Sequence, residues 1–231
     1  MKMDMGMSMS ANGETVDMNM VADMDYDLEN GLAYMNMAIN GMGQDMEMES
    51  YVEYNGDMAT MYMNMMGTWM KQEVPVANMG ELGMGMSYDI KDSLVNYLEG
   101  LENCTVEEDG DEYKIVGNFG DVMTEEITSS VMENIGAAEI PEESLETLLD
   151  CFKNVEYVMY IDSETFYPTR IEMDLGTAMG EFMESLAKEM GQEIAFDEMD
   201  IRATVEYFDY NEDIDVTIPE EALASEEIVT Q

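Results

Sequence analysis

The chain is 231 residues long, with 53 acidic and 8 basic side chains, a formal charge of −45, no histidine and 30 methionines. Hydrophobic residues make up 46% of it, which is enough for a packed core and unlike a disordered chain. Eight scattered cations cannot build the positive face that nucleic acid or an anionic membrane requires, and the lack of histidine removes the usual general base, the Ser-His and Cys-His nucleophile pairs and the commonest zinc ligand.

The chain opens on period-two alternation, the mark of a half-buried strand. Met1, Met3, Met5, Met7 and Met9 share one face, and Lys2, Asp4, Gly6, Ser8 and Ser10 share the other. Asn12-Gly13 predicts a tight hairpin turn, after which Val16, Met18, Met20, Ala22, Met24 and Tyr26 alternate. Asn30-Gly31 breaks the pattern. Ala33, Met35, Met37 and Ile39 then form a third strand up to Gly41-Met42-Gly43, and Met46, Met48, Ser50, Val52 and Tyr54 a fourth. A second Asn-Gly turn at Asn55-Gly56 leads to Met61, Met63 and Met65, and a short strand with Trp69, Met70 and Lys71 follows Gly67. Residues 1–72 therefore read as a six-stranded up-and-down meander with one methionine-lined face.

Pro75 and the glycines of residues 73–87 predict a flexible connection. The period then turns helical. Ile90, Leu94, Val95, Leu98 and Leu101 form one stripe behind Asp89 as N-cap, Val122 to Ile135 suggest a second helix, and a third starts at Pro141 and buries Leu145, Leu148, Leu149 and Phe152. Between the first two helices, Cys104 to Val116 reads as a hairpin turning at Asp109-Gly110. Strands return at Val155–Ile161 and Ile171–Leu175, a fourth helix spans 176–190, and Met199 to Tyr207 alternate again before Ile214, Val216 and Ile218 close the chain. The sum is a single α+β domain over 1–231, with about ten antiparallel strands: a methionine-rich half, a linker at 73–87, and helices with completing strands over 88–231.

The stretch Tyr160-Ile161-Asp162-Ser163-Glu164-Thr165-Phe166-Tyr167-Pro168-Thr169-Arg170-Ile171-Glu172-Met173 resembles the hairpin of bacterial lipoprotein-carrier-like proteins of the LolA and LppX type. The ending Tyr210 to Glu221 resembles the terminal strand of lipoproteins in that superfamily, and the alternating hairpin start is similar too. The resemblance implies an open, strongly bent half-barrel with helices on its concave face, an apolar cavity between the two layers, export and lipid anchoring. The chain departs from that pattern in having no signal peptide, no anchoring cysteine near its start and no N-terminal helix, as a trimmed mature form would.

The candidate site is the apolar lining of that face: Met3, Met5 and Met7, Met18 and Met20, Met35 and Met37, Met46 and Met48, Met61 and Met63, Trp69, and Met179, Phe182 and Met183 of the fourth helix. An ordinary core accounts for the same stripe. The binding reading adds that flexible, polarisable methionine suits a cavity that repacks around varied apolar guests. A third reading is Cu(I), since Met1 to Met9 looks like a methionine-rich copper motif. Recurrence of the alternation in five later segments argues for a core instead, and a bound metal would need sulfurs that face solvent. The acidic residues alternate with the apolar ones and form the solvated face; Glu107 to Glu112 read as a charged hairpin tip before a calcium loop. Cys104 and Cys151 either pair, as an exported protein allows, or remain separate thiols.

The expectation is therefore a non-enzymatic, exported, monomeric binding protein for an apolar or lipid-like small molecule. It needs no cofactor, does not bind nucleic acid, and meets a membrane only through a lipid anchor that this chain lacks. The competing expectation is a structural envelope protein with a filled methionine core.

Overall fold

A computed structural model describes residues 1–11, 14–27, 29–41, 44–65, 67–76, 103–122, 147, 149–189 and 198–226. The alternating first half forms β1 (Lys2–Ala11), β2 (Glu14–Asp27), β3 (Leu32–Gly41), β4 (Gln44–Asn55), β5 (Met58–Met65) and β6 (Thr68–Pro75), each antiparallel to the next. The second half supplies β7 (Thr105–Asp109), β8 (Glu112–Asn118), α1 (Phe119–Val122), β9 (Glu156–Asp162), β10 (Pro168–Asp174), α2 (Gly176–Glu189), β11 (Glu198–Glu206) and α3 (Glu220–Leu223). All eleven strands join one sheet in the order β6-β5-β4-β3-β2-β1-β11-β10-β9-β8-β7. Two meanders thus grow outward from a central β1–β11 pair, in which Met3 faces Val205 and Met7 faces Ile201. The sheet is open, with β6 and β7 at its edges.

Several boundaries differ from the sequence reading. β6 runs on through Pro75, and Val74 is buried, so the first residues of the expected connection are strand; the rest lies outside the described residues. The helices expected around 89–101, 122–135 and from Pro141 also fall largely outside them, leaving α1 and helical residues 147 and 149–152 described. Ile214, Val216 and Ile218 form no strand: after β11 the chain turns at Tyr210-Asn211, with Asp209 and Asn211 at positive φ, and then runs without a ladder partner up to α3.

Ala11 pairs with Glu14, as the expected Asn12-Gly13 turn requires, but two later hairpin loops sit one residue beyond their Asn-Gly and Asp-Gly pairs. Asn55 pairs with Met58 and Asp109 with Glu112, so the two-residue loops are Gly56-Asp57 and Gly110-Asp111. Glycine occupies the first loop position in both, at φ 67° and 68°, where a II′-type turn demands positive φ. The longer β2–β3 turn is held by Asp27, whose carboxylate accepts from the Asn30 amide N–H at 3.0 Å and from Asn30 Nδ2 at 2.6 Å.

The scarce cations are placed in register with acids. Lys2 lies between Asp23 and Glu206, and Lys114 faces Glu107. Arg170 faces Glu206, and its guanidinium lies 4.0 Å from the Tyr160 ring centroid. Such cross-strand pairs favour this register over a slip, which would set carboxylates against each other.

Candidate ligand-binding face

Directly opposed residues of antiparallel strands share a face. The register therefore draws a single line across the whole sheet: Val106, Ile115, Met159, Ile171, Val205, Met3, Ala22, Met37, Met48, Met65 and Thr68, one residue per strand and apolar up to the last. Parallel lines such as Met5–Met20–Ile39–Met46 repeat it. Met3, Met5, Met7, Met18, Met20, Met35, Met37, Met46, Met48, Met61 and Met63 all belong to this face.

Trp69 does not. It pairs with Asn64, which pairs with Glu49, so it points to the opposite, acidic face, and its neighbour Met70 takes the methionine-face position opposite Met63. The reason is parity: in Trp69-Met70-Lys71 only the middle residue continues the alternation. α2 lies on the methionine face, because Gly180 approaches Met199, whose Cα partner is Met9. Within α2, Phe182 and Ala178 are buried while Met179 and Met183 are half-buried.

Among the described residues the face is unevenly covered: Ala22, Ile201 and Ala203 of its central strands are buried, as are two flanking clusters. One buried cluster joins Ala33, Val52, Ala59, Met61 and Val74, and another joins Ile115, Tyr157 and Met159. Between them, Met3, Met5, Met7, Met18, Met20, Met35, Met37 and Met48 are only half-buried. Met46 and Met65 are 47% and 52% exposed.

A cavity of about 770 Å³ opens at the far end of β3, β4 and β5. It exists because β5 ends at Met65, opposite Met48, whereas β4 continues back to Gln44 with only β3 beside it. The notch wraps round this edge, so both faces line it: Met37, Met46, Met48 and Met65 from one, and Asp45, Glu47 and Glu49 from the other. It is therefore not the pocket between sheet and α2 that the sequence suggests, since no α2 residue lines it.

The acidic face carries a feature the sequence reading missed. Tyr34, Tyr51 and Tyr62 are in register on three adjacent strands, with ring centroids of Tyr34 and Tyr51 4.9 Å apart and of Tyr51 and Trp69 5.9 Å apart. The chain following β11 lies over this strip as a strap. Val216 and Ala222 are buried in one cluster with Tyr51 and Tyr62, flanked by Ile214 and Ile218. The strap is fixed at its start by Tyr210, which stacks on Tyr167 at 4.6 Å and donates to the Pro168 carbonyl at 2.7 Å. Near its end the Lys71 N–H donates to the Glu226 carbonyl at 3.3 Å. Burial, reinforced by Tyr207 and Tyr167, pushes the Tyr210 phenol up to about 12, so it stays a neutral donor. Three tyrosines, each set between two positions of the methionine face, were the available signal.

Chemistry elsewhere is sparse. Cys104 and Cys151 remain separate thiols: the Cys104 sulfur lies 3.3 Å from the Tyr157 hydroxyl. Burial, then the nearby Glu181 and Asp150 carboxylates, pushes the Cys151 thiol up and away from thiolate reactivity. Among the described residues no three His, Cys, Asp or Glu side chains are arranged to hold a metal ion, and the Glu107–Glu112 segment is a two-residue hairpin tip. No described helix is long and apolar enough to cross a membrane.

No curated protein and no solved structure matches the chain. A family model does match, over residues 1–227, and the chain belongs to that family, DUF6612, a family of unknown function.

Proposed function

We propose that the protein is an exported, lipoprotein-type binding protein whose methionine face holds an apolar, lipid-like ligand, with α2 lying over part of it. The observation that carries this reading is the in-register apolar line across the sheet, in which Met3, Met37 and Met48 stay half-buried. The large open antiparallel sheet is consistent with the lipoprotein-carrier resemblance, and envelope location and lipid anchoring belong to the same proposal.

Binding works by burial alone, without catalysis. A buried methylene contributes about 0.8 kcal/mol, so about ten of them gain about 8 kcal/mol before ordering costs are subtracted. Methionine has three rotatable bonds beyond its backbone and a polarisable sulfur, so the surface can adapt to guests of different shape. Native mass spectrometry of protein purified from its source, followed by organic extraction, tests the proposal. A lipid-sized adduct recovered in the organic phase is expected. Protein that carries no adduct and takes up no apolar dye would instead support a filled, purely structural core.

A further inference from the structure

Four methionines line the notch at the end of β4, and two of them are more exposed than the methionines of β1 and β2. Met37, Met48 and Met65 stand in register on three adjacent strands, spaced by the strand separation of about 4.8 Å. Met46 is next along β4 on the same face, and all four line one cavity. Beside Met46 the β5 position is absent, so the group opens to solvent. At 47% and 52% exposure, Met46 and Met65 gain little from burial, and leucine or valine would fill the same volume with equal or better strand propensity. What methionine adds at these positions is sulfur.

We propose that Met37, Met46, Met48 and Met65 form a thioether site for a soft monovalent d¹⁰ cation, Cu(I) or its analogue Ag(I). Thioethers are neutral, soft donors and select Cu(I) over harder divalent ions. They supply no charge, and the wall of the same notch does: Asp45, Glu47 and Glu49 line it from the other face of the strands, so their field draws in a cation that the sulfurs then ligate. The exposed methionines that a copper reading requires are found here, in Met46 and Met65 at the β3–β5 end, and not in the Met1–Met9 run, whose methionines are all half-buried. Met37, Met46 and Met48 also belong to the proposed apolar lining, and leucine separates the two proposals because it preserves the apolar surface and removes the ligand atom.

The test titrates the full chain anaerobically with Cu(I) delivered as its acetonitrile complex, competed against a chromophoric Cu(I) chelator. Wild type is expected to take about one equivalent, and Met46→Leu/Met65→Leu, at exposed positions where folding is not at stake, to bind at least about tenfold more weakly. Met5→Leu/Met20→Leu, a cross-strand pair elsewhere on the face, is expected to bind Cu(I) as wild type. Absence of Cu(I) binding by wild type, full binding by the Met46/Met65 variant, or an equal loss in the Met5/Met20 variant would each overturn the assignment.

Discussion

At the scale of single residues, position parity decides which face a side chain serves. Alternation places the methionines of β1 to β5 correctly because each strand is long enough to show the period several times. Trp69, expected in the lining from its place beside a turn, lies on the other face. Filled and loose parts of the methionine face should respond differently to truncation. Met61, 2% exposed, leaves a cavity when cut to alanine, and Met61→Ala should cost about 2–5 kcal/mol in chemical denaturation, whereas Met5→Leu should cost less than about 1.5 kcal/mol. Asp162 gives a pH-dependent counterpart. Its carboxylate accepts from the Thr165 amide and hydroxyl, both at 2.7 Å, and these bonds hold it below its usual 3.8. A lowered folded pKa means that the contribution is present above the unfolded value and is lost as pH falls through the folded one. Thr165→Val should therefore move the Asp162 midpoint up toward 3.8, as read by carboxyl carbon NMR.

At the scale of elements, hairpins were legible because turn chemistry and alternation agree, and the loop register differs by one residue only at Asn55-Gly56 and Asp109-Gly110. The strap was not legible. Ile214, Val216 and Ile218 alternate as a strand would, but their partners are Tyr51, Tyr62 and Trp69, well over a hundred residues away, and no local period announces such packing. Because Trp69 is the only tryptophan, its emission reports on the strap directly. Val216→Asp places a charge in a buried apolar contact, and should red-shift that emission and cost about 3 kcal/mol. α2 was legible in its bounds, though not in how closely it seats. A Cβ at Gly176 would collide with the Met199 carbonyl, which is backbone and cannot rotate away. Gly176→Ala should lift the start of α2 off β11 and lower the melting temperature, with a cost of about 1–3 kcal/mol.

At the scale of the whole molecule, charge and methionine content describe opposite faces of one sheet, with a correction: the acidic face carries its own aromatic strip and covering strap. The strap adds to the crowding of like charge, since Asp209, Glu212, Asp213, Asp215, Glu220, Glu221 and Glu226 bring no cation with them. At −45, self-repulsion opposes the folded state, so raising sodium chloride from about 0.01 M to about 0.15 M should raise the melting temperature as the screening length shortens. The same charge guards the β7 edge, where Glu107, Glu108 and Asp109 are exposed and would repel an added strand of this chain. What the sequence could not express is how full the methionine face is, because period-two alternation is the same for a packed core and for a receptive surface. Titration with N-phenyl-1-naphthylamine addresses that directly, using wild type and a Met20→Glu/Met37→Glu variant that sets two carboxylates in the half-buried centre of the face. Saturable fluorescence enhancement in wild type, lost in the variant, is the predicted result; no enhancement in wild type, or equal uptake by both, would contradict the account.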